Sequence, residues 1–271
     1  MFADKMRHEA IPERVYALCE LLRSKPLTEA EVKDYFEPKV LGGAGTSYFS
    51  KVRDAASQNQ LGLIDVTDKK LSLAVDKKYV SSIEEMRKYI IGHISLIKDG
   101  LFYETSQAYF DLNEKVYEFY SVTDQGLRDL LMQNMNGRLD VDDMRAWRFW
   151  AAFLGFGHLA RVTTSNQTQM NFLPNLYRYL QTAVELAGFE KNKEYRIDEF
   201  IDAIQPMCDI AMKDAAETKK LNMAMSYGLR MMHDNGDIEL RYQLDNQNLW
   251  FLYPSDLHAI RSEISHVTIR R

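Results

Sequence analysis

The sequence predicts a mainly helical α+β protein with small β-hairpins. Three observations support this fold class. In residues 1–80, and again in 171–271, three helical segments are followed by an alternating apolar–polar pattern. The third observation is that the stretch between them has helical periodicity and is rich in aromatic residues. The sequence therefore predicts three domains, at residues 1–80, 81–170 and 171–271.

The first region has clear helix boundaries. Pro12 stands near the start of the first helix, and Thr28 with Glu31 three residues on has the spacing of a capping box for the second. The helices are predicted at 11–24, 29–36 and 47–59, and the strands at 63–66 and 71–75. Three helices followed by a hairpin is the order of a winged helix, a variant of helix-turn-helix.

The middle region is predicted to be helical throughout. Helices are expected at 82–97 and 102–120, with a third opening at Thr123 and a fourth at Asp140. Acidic residues at the start of that fourth helix suit the positive end of the helix dipole.

The last region repeats the order of the first. Helices are predicted at 176–186, 197–204 and 221–233, and the second is expected to end before Pro206, which disfavours a helical residue ahead of it. Strands at 238–244 and 249–253 are predicted to form the closing hairpin. The sequence thus predicts two winged-helix domains flanking a helical middle.

The charge distribution favours a protein partner for most of the surface. The chain carries 34 basic and 39 acidic side chains, a net charge of −5. Residues 1–90 hold 15 Lys and Arg against 14 Asp and Glu, residues 91–160 hold 6 against 10, and residues 161–271 hold 13 against 15. A DNA-binding protein that acts alone usually has a clear basic excess, which this chain lacks.

The sequence also indicates a cytoplasmic protein. The first ten residues lack the apolar core of a signal peptide, and no apolar run approaches the ~20 residues of a membrane helix, so no membrane is expected as a partner. Cys19 and Cys208 lie far apart among apolar residues, which is typical of reduced thiols in a protein core.

Motifs for chemistry are weak, so we expect no enzyme activity, no cofactor and no metal site. The glycine-rich segment 42–45 follows no strand and is not succeeded by a Lys-Ser/Thr pair, so it indicates a connector and not a phosphate loop. The six histidines show no zinc spacing with either cysteine, and no Gly-x-Ser-x-Gly elbow is present. An enzyme of unrecognised kind stays as a third functional class.

The third helix of the first region has a polar face suited to a DNA groove. Hydroxyls, an amide and lysines make the contacts that groove readers and phosphate binders need. The candidate DNA-binding residues on this helix and on the hairpin tip are Ser47, Ser50, Lys51, Ser57, Gln58, Lys69 and Lys70. Asp54 lies on the same face and opposes a phosphate backbone, and an ordinary solvated face is the competing interpretation.

The third helix of the last region has a different outward face. If Leu221, Met225 and Leu229 face the core, then Met223, Tyr227 and Arg230 are expected to point outward. Methionine, tyrosine and arginine are enriched at protein interfaces, so these three are the candidate partner-binding residues. The competing interpretation is that the middle region covers them.

The two hairpin-ended regions, 11–75 and 176–254, resemble in arrangement the KITE-like accessory subunits of SMC-type complexes. They are similar in particular to the small third component of Lamassu-type anti-phage and anti-plasmid systems. The resemblance is architectural, no sequence motif carries it, and the long aromatic middle departs from a plain tandem pair.

The resemblance implies a non-catalytic subunit that docks on a larger protein, an SMC-type ATPase, a kleisin or a nuclease subunit, and contacts double-stranded DNA through residues 47–70. The alternative is a winged-helix DNA-binding transcription regulator.

Overall fold

The computed structural model describes residues 5–38, 40, 48–58, 60–98, 100–118, 124–135, 138–163, 168–244 and 248–271. Over these residues the chain is a mixed α/β protein in which helices accompany small antiparallel sheets, so the predicted α+β class is confirmed. In the same part of the chain, no helix has both the length and the apolar character needed to span a membrane.

The internal contacts gather into two compact units, and neither is a continuous stretch of chain. Unit 1 comprises residues 1–103 and 139–153, and unit 2 comprises residues 104–138 and 154–271. The three domains predicted from the sequence stay a prediction, because the two units describe only which residues contact one another.

Unit 1 begins with helices and strands close to those predicted. They are α1 (Pro12–Leu22), β1 (Leu27–Thr28), α2 (Glu29–Phe36), α3 (Tyr48–Ala56), β2 (Ile64–Thr67) and β3 (Lys70–Leu73). The strands form an antiparallel sheet in the order β1-β3-β2, in which Leu71 pairs with Leu27 and with Val66. The predicted capping box is present, since Thr28 and Glu31 each accept a hydrogen bond from the other's backbone N–H.

The remainder of unit 1 is helical. It contains α4 (Ile83–Gly92), a 3₁₀ helix (Ile94–Ile97), the first turn of α5 (Leu101–Asp111) and most of α7 (Val141–Leu154). Asp140 and Asp143 each accept a hydrogen bond from the other's backbone N–H at the start of α7, which confirms the predicted acidic helix start. Trp150 of α7 is fully buried, and its indole Nε1 donates to the carbonyl of Ala10 at 2.8 Å.

Unit 2 contains a strand pair that the sequence did not predict. After the rest of α5, a 3₁₀ helix (Asn113–Tyr117) and α6 (Asp124–Leu131), the strands β4 (Gly157–Thr163) and β5 (Thr168–Pro174) pair as a two-stranded antiparallel ribbon. The prediction that residues 81–160 are helical was therefore wrong at their end, where β4 begins at Gly157.

The last third of the chain contributes the remaining helices and strands of unit 2. Its elements are α8 (Tyr177–Ala187), β6 (Glu194–Arg196), α9 (Ile197–Cys208), α10 (Ala215–Thr218), α11 (Met223–Asp234), β7 (Ile238–Arg241), β8 (Trp250–Phe251), β9 (Glu263–Ile264) and β10 (His266–Ile269). Helix α9 continues through Pro206, where the sequence predicted that it would stop. A proline in a helix removes one backbone hydrogen bond, and Pro206 stands two residues before the end of α9, so this loss is confined to the last turn.

The predicted closing hairpin was wrong in its pairing. Strand β7 pairs with β10, whereas β8, which was predicted to be its partner, pairs with β9. The sheet has the order β6-β10-β7, the same arrangement as β1-β3-β2 in unit 1. In both sheets the strand that comes last in the sequence occupies the centre. In unit 1, β3 lies between β1, which precedes α2, and β2, which follows α3. In unit 2, β10 lies between β6, which precedes α9, and β7, which follows α11.

Both cysteines are buried and free, as predicted for core thiols. Burial in apolar surroundings raises the pKa of Cys19 to about 12, and it raises the pKa of Cys208 as well. A thiol that stays protonated at neutral pH is a poor nucleophile. Neither cysteine is therefore a candidate for catalysis.

Candidate nucleic-acid interface

Helix α3 turns one side to the core of unit 1, and the residues on its other side are half-buried except for the exposed Asp54. Its buried residues are Phe49, Val52, Ala55 and Ala56. Of the predicted DNA-binding residues near this helix, Gln58 is exposed, whereas Ser50, Lys51 and Ser57 are half-buried. The Ser57 hydroxyl donates to the Asp54 carbonyl at 2.7 Å, and Ser47 lies outside the described residues.

The acidic residue on this face is compensated locally. Arg53 donates two hydrogen bonds to the carboxylate of Asp54, at 2.7 and 3.0 Å, and one to Glu29 of α2 at 2.8 Å. These contacts, first the hydrogen bond with Asp54, raise the pKa of Arg53. The opposition expected from Asp54 is therefore offset, while within the described residues Lys51 has no carboxylate in ion-pair range.

The β2–β3 hairpin ends in a tight turn that carries two lysines. Asp68 and Lys69 have φ angles of 51° and 59°, the positive values that a two-residue type I′ turn requires at both central positions. The carbonyl of Lys69 accepts a hydrogen bond from the N–H of Glu29 at 2.9 Å, which fixes the turn against the start of α2. Lys69 and Lys70 are exposed, so the hairpin tip presents two adjacent ammonium groups to solvent.

The partner-binding face predicted on α11 is not outward, and this prediction needs correction. Met223 and Arg230 are buried, and Tyr227 is half-buried. Helix α11 packs against α8, against the 3₁₀ helix Asn113–Tyr117 and against β7, so it is covered on several sides. A helix of small and apolar residues around its whole circumference is typical of such a buried position.

Arg230 is buried with an incomplete set of hydrogen-bond partners. Its Nη1 donates to the carbonyl of Tyr253 at 2.7 Å, while Nε and Nη2 have no partner within the described residues. Loss of solvent around the guanidinium lowers the pKa of Arg230. The neighbouring Ser226 hydroxyl accepts a hydrogen bond from the N–H of Tyr253 at 2.7 Å, so the segment after β8 covers this part of α11.

A groove of about 500 Å³ lies in unit 2 beside the start of α11. Its lining combines apolar and charged side chains. The apolar ones include Leu221, Phe251, Leu252 and Pro254, and the charged ones include Asp111, Lys213 and Lys220. Phe251 is 37% exposed, although its backbone is paired with Lys219 and Leu221. Burial raises the pKa of Asp111, against the opposing effect of Lys213, whose Nζ lies 3.8 Å from the carboxylate.

Within the described ranges, no three His, Cys, Asp or Glu side chains come together in a way that could hold a metal ion. Comparison with known proteins gave no match, either to family models, to curated proteins or to solved structures.

Proposed function

We propose that this chain is a non-catalytic accessory subunit that contacts duplex DNA with unit 1 and holds a protein partner with unit 2. The observation that carries this proposal is the contrast between the two helices that follow the same order of elements. Helix α3 has a half-buried polar side next to a hairpin with two exposed lysines, whereas α11 is largely buried within its own unit.

The order α-β-α-α-β-β with the last strand in the middle supports a winged-helix assignment for residues 12–73. In such modules the helix before the hairpin enters the major groove. In this chain Lys51 would face the duplex from α3 and Gln58 from the turn that follows it, and Lys69 and Lys70 would neutralise phosphates from the hairpin tip. The proposed DNA site therefore consists of α3 and the hairpin of unit 1.

For the protein partner, the groove of unit 2 is a better candidate than the face of α11. Interface cores are apolar with a polar rim, and the groove has an apolar floor flanked by Asp111, Lys213 and Lys220. The proposed partner is a larger component of a DNA-acting complex, of the SMC-type ATPase, kleisin or nuclease kind. It would insert an apolar segment against Phe251.

Reversing the charge of the proposed DNA site is expected to weaken DNA binding on the order of 100-fold at low salt. The variant is Lys51→Glu/Lys69→Glu/Lys70→Glu, measured by fluorescence anisotropy with a 30-base-pair duplex at about 50 mM salt. Loss of three phosphate contacts should also reduce the slope of log affinity against log salt by about 2.7. The control, Lys115→Glu/Lys191→Glu/Lys193→Glu, makes the same change in net charge on exposed lysines of unit 2.

Equal affinity of the two triple variants would remove the DNA site from unit 1. The same titration distinguishes the proposed function, an accessory subunit, from the alternative, a transcription regulator. A regulator should bind duplex DNA tightly by itself with a steep salt dependence, whereas the proposed subunit should bind weakly until its partner is added.

Truncating the exposed aromatic ring in the groove is expected to weaken partner binding at least tenfold. The variant Phe251→Ala removes an anchor of the kind that dominates interface energies. The measurement is quantitative co-purification with the tagged chain from its native host, accompanied by a thermal melt. Leu257→Ala is the matched control, because Leu257 is 85% exposed and lies outside the groove. Equal recovery of the partner by both variants would contradict a docking role for the groove.

A further inference from the structure

The ribbon of β4 and β5 is anchored at its base. Seven residue pairs join its strands, from Gly157 opposite Pro174 to Thr163 opposite Thr168. The Tyr109 hydroxyl donates to the carbonyl of Phe172 at 2.5 Å, and the Asn171 amide donates to the carbonyl of Val116 at 3.3 Å. Phe172 is fully buried. These contacts all lie toward the Gly157–Pro174 end.

Strand β4 of the ribbon carries several exposed side chains. His158, Leu159, Arg161 and Thr163 are all exposed on β4. Within the described residues the sheet has only these two strands, so no third strand covers either edge. An isolated two-stranded hairpin is marginally stable at best in water. A two-stranded ribbon with exposed side chains on β4 therefore suits a surface that a binding partner covers.

The charge around this ribbon differs from that of the rest of the chain. Residues 144–184 contain four arginines and no aspartate or glutamate, although the whole chain has a net charge of −5. Of these arginines, Arg161 is the one on the ribbon. Because side chains alternate along a strand, Leu159, Arg161 and Thr163 lie on the same face, which at its base also holds the buried Phe172 opposite Leu159. That face carries a cation, a hydroxyl and an apolar side chain, with no opposing carboxylate in the ribbon sequence.

We propose that the β4–β5 ribbon enters the major groove of duplex DNA, as a second contact separate from the helix and hairpin of unit 1. The major groove of B-DNA, about 12 Å wide, admits a two-stranded β-ribbon. Arginine is the commonest reader of guanine there, threonine bonds to either kind of base, and an apolar side chain contacts the thymine methyl group. The absence of acidic residues in 157–174 fits a polyanionic partner.

The same geometry excludes duplex RNA as the preferred partner. The major groove of an A-form helix is deep and narrow, and side chains do not read it. A change at Arg161 also distinguishes DNA from a protein strand that adds to the edge of the ribbon. Edge addition uses backbone groups, so the loss of this side chain should not affect it.

Replacing Arg161 with alanine in the full-length chain is expected to weaken binding to a 30-base-pair DNA duplex about tenfold. Discrimination between duplexes that differ in sequence should also fall, because the lost contact is to a base edge. Arg138→Ala is the matched control, since Arg138 is also an exposed arginine of unit 2 and lies outside the ribbon. Its affinity should equal that of the unaltered chain.

A second variant tests the ribbon as a whole. Replacing residues 161–170 with Asn-Gly joins Ala160 to Asn171 through a two-residue turn and keeps the anchored base. It should bind DNA at least as weakly as Arg161→Ala while melting within a few degrees of the unaltered chain.

Three outcomes would overturn the proposal: unchanged DNA affinity in both ribbon variants, equal affinity of the unaltered chain for duplex RNA, or no measurable DNA binding at about 50 mM salt. The triple lysine variant of unit 1 keeps the two proposals apart. If it binds normally while the ribbon variants do not, the DNA site proposed in unit 1 fails and the ribbon stands. The reverse result retains unit 1 and eliminates the ribbon.

Discussion

Replacing Trp150 with alanine is expected to lower the free energy of unfolding of unit 1 by about 4 kcal/mol, the usual cost of removing a fully buried indole. The loss has two parts. The side chain is 0% exposed, so alanine leaves a large cavity, and the hydrogen bond from Nε1 to the carbonyl of Ala10 disappears. Urea denaturation followed by circular dichroism measures the effect.

Trp150→Phe separates the two parts of that loss. Phenylalanine refills most of the volume but cannot donate to the Ala10 carbonyl, so the expected cost falls to about 2 kcal/mol. A midpoint for Trp150→Ala within the error of the unaltered protein would contradict the placement of this indole in the core of unit 1.

Replacing Gly228 with alanine is expected to destabilise unit 2 by about 3 kcal/mol, at the upper end of overpacking effects. A Cβ atom at this position in α11 would lie 2.7 Å from the Leu180 Cδ1 atom and 3.0 Å from the backbone carbon of Leu176. The leucine side chain can move, but the backbone of α8 cannot yield without shifting the helix. The expected result is a lower melting temperature and a larger distance between the two helices.

Gly188→Ala is the control for the general effect of losing a glycine. Gly188 has a φ of 69° and open space where the Cβ would lie, so alanine there incurs only backbone strain, roughly 1 to 2 kcal/mol. If Gly228→Ala were the milder of the two, the close approach of α11 to α8 would not be the constraint that it is inferred to be.

Local sequence signals were sufficient for the fold of residues 12–73. The capping box at Thr28 and the polar hairpin tip before Lys70 depend on neighbouring residues only, and each structure formed where it was predicted. The two-residue strand β1 escaped prediction because its pairing with β3 is set by residues more than 40 positions away.

The errors in the rest of the chain arose from contacts at long sequence separation. Strand β7 was expected to pair with the next apolar segment, but its partner begins at His266. The ribbon lacked a strong alternating apolar pattern, since His158, Arg161 and Thr163 on β4 are exposed. For α11, the burial of Met223 and Arg230 came from elements on both sides, and its abundance of small and apolar residues was the signal that could have indicated this.

The same difference between local structure and long-range contacts decided which candidate sites could be predicted from the sequence. Lys51, Lys69 and Lys70 could be selected from the sequence because their helix and hairpin are local structures. The groove could not, because its lining comes from three separate segments around residues 111–113, 211–222 and 251–262.

The division of unit 1 into two stretches has a consequence for its synthesis. Its core needs α7, so it cannot close when residue 103 has left the ribosome and must wait for residue 153. At ~5–20 residues per second this delay is roughly 3 to 10 s. Throughout that interval the nascent N-terminal segment lacks the indole that bonds to Ala10, although all residues of α3 and of the β2–β3 hairpin have been synthesised. Vectorial folding of this protein therefore includes a stage at which these elements have emerged without a finished core.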